Sequence, residues 1–157
     1  VWNRHILDSA QIIKYIDFKK DHILSDFGSG AGLPGVILSI ANTNPNFHVK
    51  LYEKSSVKRN FLSDIQKITE FGIEKNVYDH ERIKSDYIVC RAFKKLDLIF
   101  DISREKVKNP HKLIILKGKN ALNDLKKLPK DKNYRYKTVN SITDKDSKII
   151  IATKNGK

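Results

Sequence analysis

Apolar residues along this chain follow two spacings, one typical of helices and one typical of strands. Trp2, Ile6, Ala10 and Ile13 recur every three or four residues, which predicts an amphipathic helix over 2–16. Short apolar or alternating runs between polar segments predict strands instead. In chain order, strands are predicted at 23–27, 47–52, about 76–78, 87–90, 112–116, 134–139 and 148–153.

Helical patterns fill the intervals between these strands. They are predicted at 34–41, from Ser55 or Ser56 to Gly72, and at 96–106 and 121–128. In the second of these helices the predicted buried face is Val57, Phe61, Ile65 and Ile68. Alternating strands and helices followed by a hairpin predict an α/β fold, a doubly wound, Rossmann-like sheet with a C-terminal antiparallel hairpin.

A glycine-rich loop follows the first predicted strand. Gly28, Gly30 and Gly32 alternate there, which lets a ligand approach the backbone, and Asp26 lies two residues before them. Residues 30–35 also fit G-x-G-x-x-G, the pattern of dinucleotide-binding oxidoreductases. However, a carboxylate at Asp26 suits a ligand with an ammonium group, such as S-adenosylmethionine, better than a pyrophosphate. A strand–turn–helix corner without a ligand is the third interpretation.

Several sequence blocks together resemble one known family. They are W-N-R-H-I-L-D-S at 2–9, D-F-G-S-G-A-G-L-P-G at 26–35, L-Y-E-K at 51–54, K-R-N-F-L at 58–62, C-R-A-F at 90–93 and L-K-G at 116–118. These blocks come in the order found in the RsmG/GidB family, the bacterial 16S ribosomal RNA guanine-N7 methyltransferases. The resemblance covers nearly the whole chain.

The resemblance implies a class I methyltransferase fold in a single domain over 1–157, with S-adenosylmethionine as cofactor. The expected substrate is a guanine of 16S rRNA or of the small ribosomal subunit, and the expected state is a monomer. It also implies a helical segment before Trp2, so the chain is expected to be N-terminally short. A catalytically inactive RNA-binding remnant of the family is therefore the alternative function.

The predicted cofactor residues lie at the ends of the first three strands. Glu53 follows the second strand, where a carboxylate can bind the ribose hydroxyls or interact with a helix dipole. In the loop, the predicted contacts are Asp26, Gly28, Gly30, Gly32 and Leu33. By the resemblance, His80 and Glu81 are expected near the adenine, although Asp79 stands where the family tends to have an arginine.

Arg91 and Lys117 follow the fourth and fifth strands and are the predicted catalytic residues. Either can hold the guanine, and Arg91 can instead bind the cofactor carboxylate. Guanine N7 carries no proton, so no general base is required. Cys90 is predicted to be a buried hydrophobic residue, and His5 a structural histidine.

Charge divides the chain unevenly. Residues 1–103 carry 15 Lys+Arg and 13 Asp+Glu, whereas residues 104–157 carry 16 and 5, and the total net charge is +13. The basic half predicts a nucleic-acid partner, although a lysine-rich coding bias would give the same composition. With one cysteine, no apolar run of ~20 residues and no metal-binding motif, we expect a cytoplasmic protein without a metal.

Overall fold

The computed structural model describes residues 2–155 and contains one mixed sheet of seven strands. The strands are β1 (Ile23–Phe27), β2 (His48–Tyr52), β3 (Gly72–Glu74), β4 (Tyr87–Arg91), β5 (His111–Lys117), β6 (Tyr134–Asn140) and β7 (Lys148–Lys154). Their order across the sheet is β3-β2-β1-β4-β5-β7-β6. The first five run parallel, and β7 is antiparallel to both of its neighbours. The predicted α/β sheet with its closing hairpin is confirmed.

The order of the strands changes side at the centre of the sheet: β2 and β3 lie on one side of β1, and β4 and the later strands lie on the other. β1 pairs with β2 on one side and with β4 on the other, both in parallel register. In open α/β sheets such a switch point leaves a crevice at the carboxyl ends of the strands, where ligands bind. The ends of β1, β2 and β4 are therefore the places to search for a site.

Five helices cover the two faces of the sheet. They are α1 (Trp2–Ala10), α2 (Gly35–Ala41), α3 (Ser56–Ile65), α4 (Leu96–Lys106) and α5 (Ala121–Lys126). One apolar core holds residues of α4 and α5, and the other holds residues of α2, α3 and the segment after α1. Within residues 2–155, no helix combines the length and the apolar character needed to cross a bilayer.

Helix α1 ends earlier than the apolar spacing predicted. The chain leaves the helix after Ala10 and forms a 3-10 turn at Ile13–Tyr15, instead of continuing to residue 16. The cause is Gln11, whose side-chain nitrogen donates to Ser141 Oγ at 3.1 Å and whose oxygen accepts from the Ile142 N–H at 3.0 Å. These bonds tie the end of α1 to the loop of the β6–β7 hairpin.

The third strand lies before the predicted one. It is Gly72–Glu74, and Gly72 begins this strand rather than ending a helix. The predicted strand at 76–78 is instead a turn in which Asn76 Oδ1 accepts from the Tyr78 N–H at 3.3 Å. An asparagine that bonds its own backbone two residues on favours a turn over a strand.

A buried polar network joins α4 to β5 and β6. Ser103 Oγ lies 2.6 Å from both His111 Nε2 and the Tyr134 hydroxyl, and all three residues are buried. His111 Nδ1 lies 2.8 Å from the Asn109 carbonyl, which can only accept, so Nδ1 carries the proton. Burial lowers the pKa of His111 to about 4 and keeps the ring neutral.

Candidate active site

Two cavities open side by side at the carboxyl ends of the strands. The first, of about 460 Å³, is bounded by the glycine loop after β1 and by the ends of β2 and β3. The second, of about 620 Å³, lies over the ends of β4 and β5. We call them the donor cavity and the acceptor cavity. His5, Arg91, Ala92 and Phe93 line both and form their shared wall.

The glycine loop adopts a backbone shape that few other residues could adopt. Gly28, Gly30 and Gly32 have φ values of +74°, +58° and +90°. A Cβ atom on Gly28 would lie 2.2 Å from Phe93 Cδ2, and one on Gly32 would lie 2.5 Å from Val36 Cγ2. At Gly30 the nearest atom would be 3.9 Å away, so this glycine faces open space in the donor cavity.

Glu53 joins the glycine loop to the end of β2. Its Oε2 accepts from the Gly30 N–H at 2.9 Å, and its Oε1 accepts from the Ser55 N–H at 2.8 Å. The side chain is almost fully buried yet still lines the donor cavity. Each carboxylate oxygen can accept a further bond, so Glu53 can also receive hydroxyl groups from a ligand.

Asp26 lies beneath the loop and outside the lining of both cavities. It is fully buried, and its Oδ2 accepts from the Gly35 N–H at 2.9 Å, while Oδ1 has no hydrogen-bond partner. Burial raises its pKa to about 7, with a smaller contribution from Glu53. In this structure Asp26 supports the loop from below, and its contact with a ligand ammonium stays a prediction.

The residues predicted near the adenine are divided by the structure. Leu33 lines the donor cavity as predicted, whereas His80 and Glu81 do not. His80 packs edge-on against Tyr52 with ring centroids 5.2 Å apart, and Glu81 is exposed. Because β3 ends at Glu74, the residues that line the cavity at this point are Asn76 and Val77, and the roles of His80 and Glu81 stay predictions.

Arg91 occupies the predicted position at the end of β4 and lies in the wall between the cavities. Its Nη2 is 2.5 Å from His5 Nδ1. Because a guanidinium can only donate, His5 must present an unprotonated Nδ1 to it. Ala92, the next residue, has φ +49°, a strained conformation of the kind that clusters at functional sites.

Lys117 lies in the acceptor cavity, where it forms an ion pair with Asp124 at 3.1 Å. Five further cations contribute to the same lining: Arg4, Arg91, Lys94, Lys119 and Lys148. The acceptor cavity is therefore strongly basic, which suits a polyanionic ligand. Cys90 is buried beneath it, and burial raises the pKa of its thiol, so the predicted inert role is confirmed.

Comparison with known proteins identifies the family. The model of the GidB family, described as rRNA small subunit methyltransferase G, matches residues 1–151. The chain belongs to this family. It is 36% identical to the ribosomal RNA small subunit methyltransferase G of Pelagibacter ubique over 152 residues, or 94% of this chain and 71% of that protein. The corresponding Rickettsia bellii protein is 38% identical over 151 residues, or 95% and 76% of the two chains.

Solved structures support the same fold. A SAM-dependent methyltransferase from Aquifex aeolicus superposes with a TM-score of 0.65 at 15% identity, covering 93% of this chain and 88% of that one. The fibrillarin/Nop5p complex gives a TM-score of 0.68 at 13% identity, covering 93% and 79%. These similarities confirm the Rossmann-like methyltransferase fold that the resemblance to the GidB family implied.

Sequence reasoning missed three residues of the shared wall and of the cavity end. His5 was predicted to be structural, whereas it contacts Arg91 and lines both cavities. Phe93 was noted only as part of the C-R-A-F block, and Asn76 only as part of a predicted strand. The polar Arg4-His5 pair inside an amphipathic helix was the available signal for His5. No local pattern marks Phe93, because its role depends on contact with Gly28.

Proposed function

We propose that the protein transfers a methyl group from S-adenosylmethionine to N7 of a guanine in 16S ribosomal RNA. One observation carries the proposal in a chain of the GidB family: a glycine-loop cavity and a basic cavity meet at a shared wall. Methyl transfer requires donor and acceptor to be held in line without intervening water, and two adjoining cavities satisfy that requirement.

The donor cavity fits S-adenosylmethionine. Gly30 leaves the space that a Cβ would fill, and Glu53 can accept from ribose hydroxyls beside it. The buried Asp26 carboxyl supports the glycine loop from beneath by accepting from the Gly35 N–H. The cofactor supplies an electrophilic methyl group on a sulfonium. Leu33, Asn76 and Val77 offer the less polar end of the cavity.

The acceptor cavity fits a nucleotide. Its cations can bind phosphates, and Lys117 lines the cavity at the end of β5, where it can contact a base or a phosphate. An arginine often binds guanine through O6 and N7 together, but N7 must remain free to react here. Arg91 is therefore assigned either to O6 of the guanine or to the carboxylate of the cofactor, since it borders both cavities.

The reaction belongs to the cytoplasm, where small ribosomal subunits are assembled, and we assign it to the monomer. Both cavities are lined by residues of one chain, which supports assigning the site to a single copy. The acceptor is rRNA, either free or within the small subunit.

The test is transfer of a labelled methyl group to small subunits that lack the modification. The product is then treated with borohydride and aniline, which cleave RNA at 7-methylguanosine. Label in the RNA with cleavage at one guanine is expected. Label without cleavage would exclude N7 as the acceptor atom. Binding of S-adenosylmethionine without transfer would favour the inactive remnant.

Substitution of Arg91 shows whether this residue binds the cofactor or the guanine. Arg91→Lys keeps the charge but loses the planar fork, and Arg91→Ala loses both. If Arg91 binds the cofactor, both variants weaken S-adenosylmethionine binding, alanine more so. If it holds the guanine, cofactor binding survives while methylation falls. Arg82→Ala is the matched control, because Arg82 is exposed and lines neither cavity.

A further inference from the structure

Phe93 is the aromatic part of the wall between the two cavities. It follows β4 by two residues and lines both cavities. Its ring packs edge-on against Phe27, with centroids 6.2 Å apart, and lies so close to Gly28 that a Cβ there would overlap it. The strained backbone at Ala92 turns the chain into this position. The ring is thus held at the boundary where donor and acceptor must meet.

Part of this ring is open and already has a cation near it. Lys94 Nζ lies 6.0 Å from the ring centroid, and Lys94 itself lines the acceptor cavity. A flexible, exposed lysine can be displaced by a ligand at little cost. Phe93 is only partly buried and lines the acceptor cavity, so part of its ring is accessible to a planar group from that cavity.

The charges around the acceptor cavity create a problem that this ring can solve. During transfer the bond from N7 to the methyl carbon forms as the carbon–sulfur bond breaks. The bonding pair stays on sulfur, so the positive charge passes from the sulfonium to the purine and no proton moves. The cavity's cations oppose that charge. Its lining holds six cationic side chains against two acids, Asp124, which is paired with Lys117, and Asp8, which accepts from Gln11 and Thr143.

We propose that the acceptor guanine stacks on Phe93, whose ring face stabilises the positive charge that develops on the purine. An aromatic face attracts a cation through its quadrupole, and stacking on it also orients the base. This inference rests on the proposed function, because it assigns a residue to the guanine of that reaction. It adds a catalytic role to a residue that the sequence blocks alone did not distinguish.

The first test compares substitutions that keep the bulk beside Gly28. Phe93→Leu removes the aromatic face, whereas Phe93→Tyr retains it. We expect Phe93→Leu to lower kcat by about 10- to 100-fold, the range that base–aromatic stacking supports, with S-adenosylmethionine affinity within about threefold. Phe93→Tyr should retain most of the activity. Equal activity in the leucine variant and the parent would overturn the proposal.

A second test separates the charge effect from packing. Phenylalanines carrying one, two or three ring fluorines are nearly isosteric but have progressively weaker attraction for cations. Placed at position 93, they should lower log kcat stepwise. The same series at Phe61, an exposed ring outside both cavities, should change nothing. A flat series at 93 would show that the ring only packs against Gly28.

Binding gives a readout that needs no catalysis. The parent should bind a short RNA containing 7-methylguanosine, whose purine is cationic, more tightly than the unmodified RNA. Phe93→Leu should remove that preference, and an unchanged preference would contradict the inference. An inactive parent that still shows the preference would contradict the proposed function but not the stacking. An active parent with a flat fluorine series would contradict the charge role alone.

Discussion

Gly28 and Gly30 both have positive φ, but the space beside their α-carbons differs. Gly28 is closed by the Phe93 ring, whereas Gly30 opens into the donor cavity. One glycine is needed so that the wall can pack against the loop, and the other leaves room for the ligand. A positive φ alone costs a non-glycine residue about 1–2 kcal/mol. Any loss of stability or of ligand affinity beyond this cost should therefore report what lies beside each glycine.

Alanine substitution separates these two roles. Gly28→Ala should lower the free energy of unfolding by more than about 2 kcal/mol, because backbone strain adds to overlap with Phe93. Gly30→Ala should cost only the strain, yet weaken S-adenosylmethionine binding at least about tenfold, or 1.4 kcal/mol. Urea unfolding and calorimetric titration measure the two quantities. Equal stability losses would contradict the assignment.

Sequence reasoning located most of the site at this scale but not its contacts. Gly28, Gly30, Leu33, Glu53, Arg91 and Lys117 each line at least one cavity, because each follows a strand whose position is set by its apolar run. Gly32 lines neither cavity, because the side chains of Val36 and Leu62 close the space beside its α-carbon. The sequence did not reveal that Asp26 lies outside both cavities, since the turn that buries it beneath Gly35 is a tertiary feature. His5 lies 86 positions from Arg91 in sequence, so no local pattern could pair them.

At the scale of elements, α3 shows where periodicity misleads. Its predicted buried face includes Val57, Phe61 and Ile68, yet these residues are 76%, 51% and 81% exposed. The residue that enters the core is Leu62, which lies against the glycine loop beside Gly32. The spacing correctly predicts a helix, but the docking direction depends on the loop that the helix must cover.

Because Leu62 faces the core and Phe61 faces solvent, their substitution should change the stability of the protein by different amounts. Leu62→Ala should lower the free energy of unfolding by about 2–5 kcal/mol, because it creates a cavity in the core. Phe61→Ala, on the exposed side, should cost less than about 1 kcal/mol. Denaturant titration of both variants measures the difference. Similar losses would mean that α3 packs through its predicted face after all.

At the scale of the whole molecule, positive charge is concentrated around the acceptor cavity. Removing Lys119 and Lys148 as Lys→Gln variants should therefore reduce the salt dependence of rRNA binding. We expect log Kd against log salt to lose about 0.7–1 in slope for each phosphate contact removed. Lys67→Gln, on an exposed lysine outside both cavities, should leave the slope unchanged. A slope that is flat in the parent would exclude phosphate contacts altogether.

Two buried groups in distant parts of the molecule affect its pH stability in opposite directions. Asp26 has a folded pKa of about 7, against 3.8 for an unperturbed aspartate, so its contribution to stability is present at low pH and is lost as pH rises toward 7. His111 has a folded pKa of about 4 against 6.5, so its contribution is present above pH 6.5 and is lost as pH falls toward 4. In the unsubstituted protein, the two changes in unfolding free energy between pH 4 and pH 7 have opposite signs and largely cancel.

Asp26→Asn should expose the histidine's contribution. The amide oxygen can still accept from the Gly35 N–H, but the side chain no longer titrates. Relative to the parent, the variant should gain roughly 3 kcal/mol of unfolding free energy between pH 4 and pH 7, from the 1.36 kcal/mol per pKa unit of linkage. Urea titrations at several pH values measure this gain. A difference that is independent of pH would mean that Asp26 is ionised throughout.

Strand β7 comes after every other strand in the chain, yet it lies inside the sheet. It pairs along its length with β5 on one side and with β6 on the other. During translation, β6 therefore leaves the ribosome without a partner, and the edge of β5 stays open until β7 has been made. The basic cavity is completed at the same moment, because Ser147 and Lys148 belong to its lining. A nascent chain arrested before β7 should thus be open to proteases and chaperones at this edge.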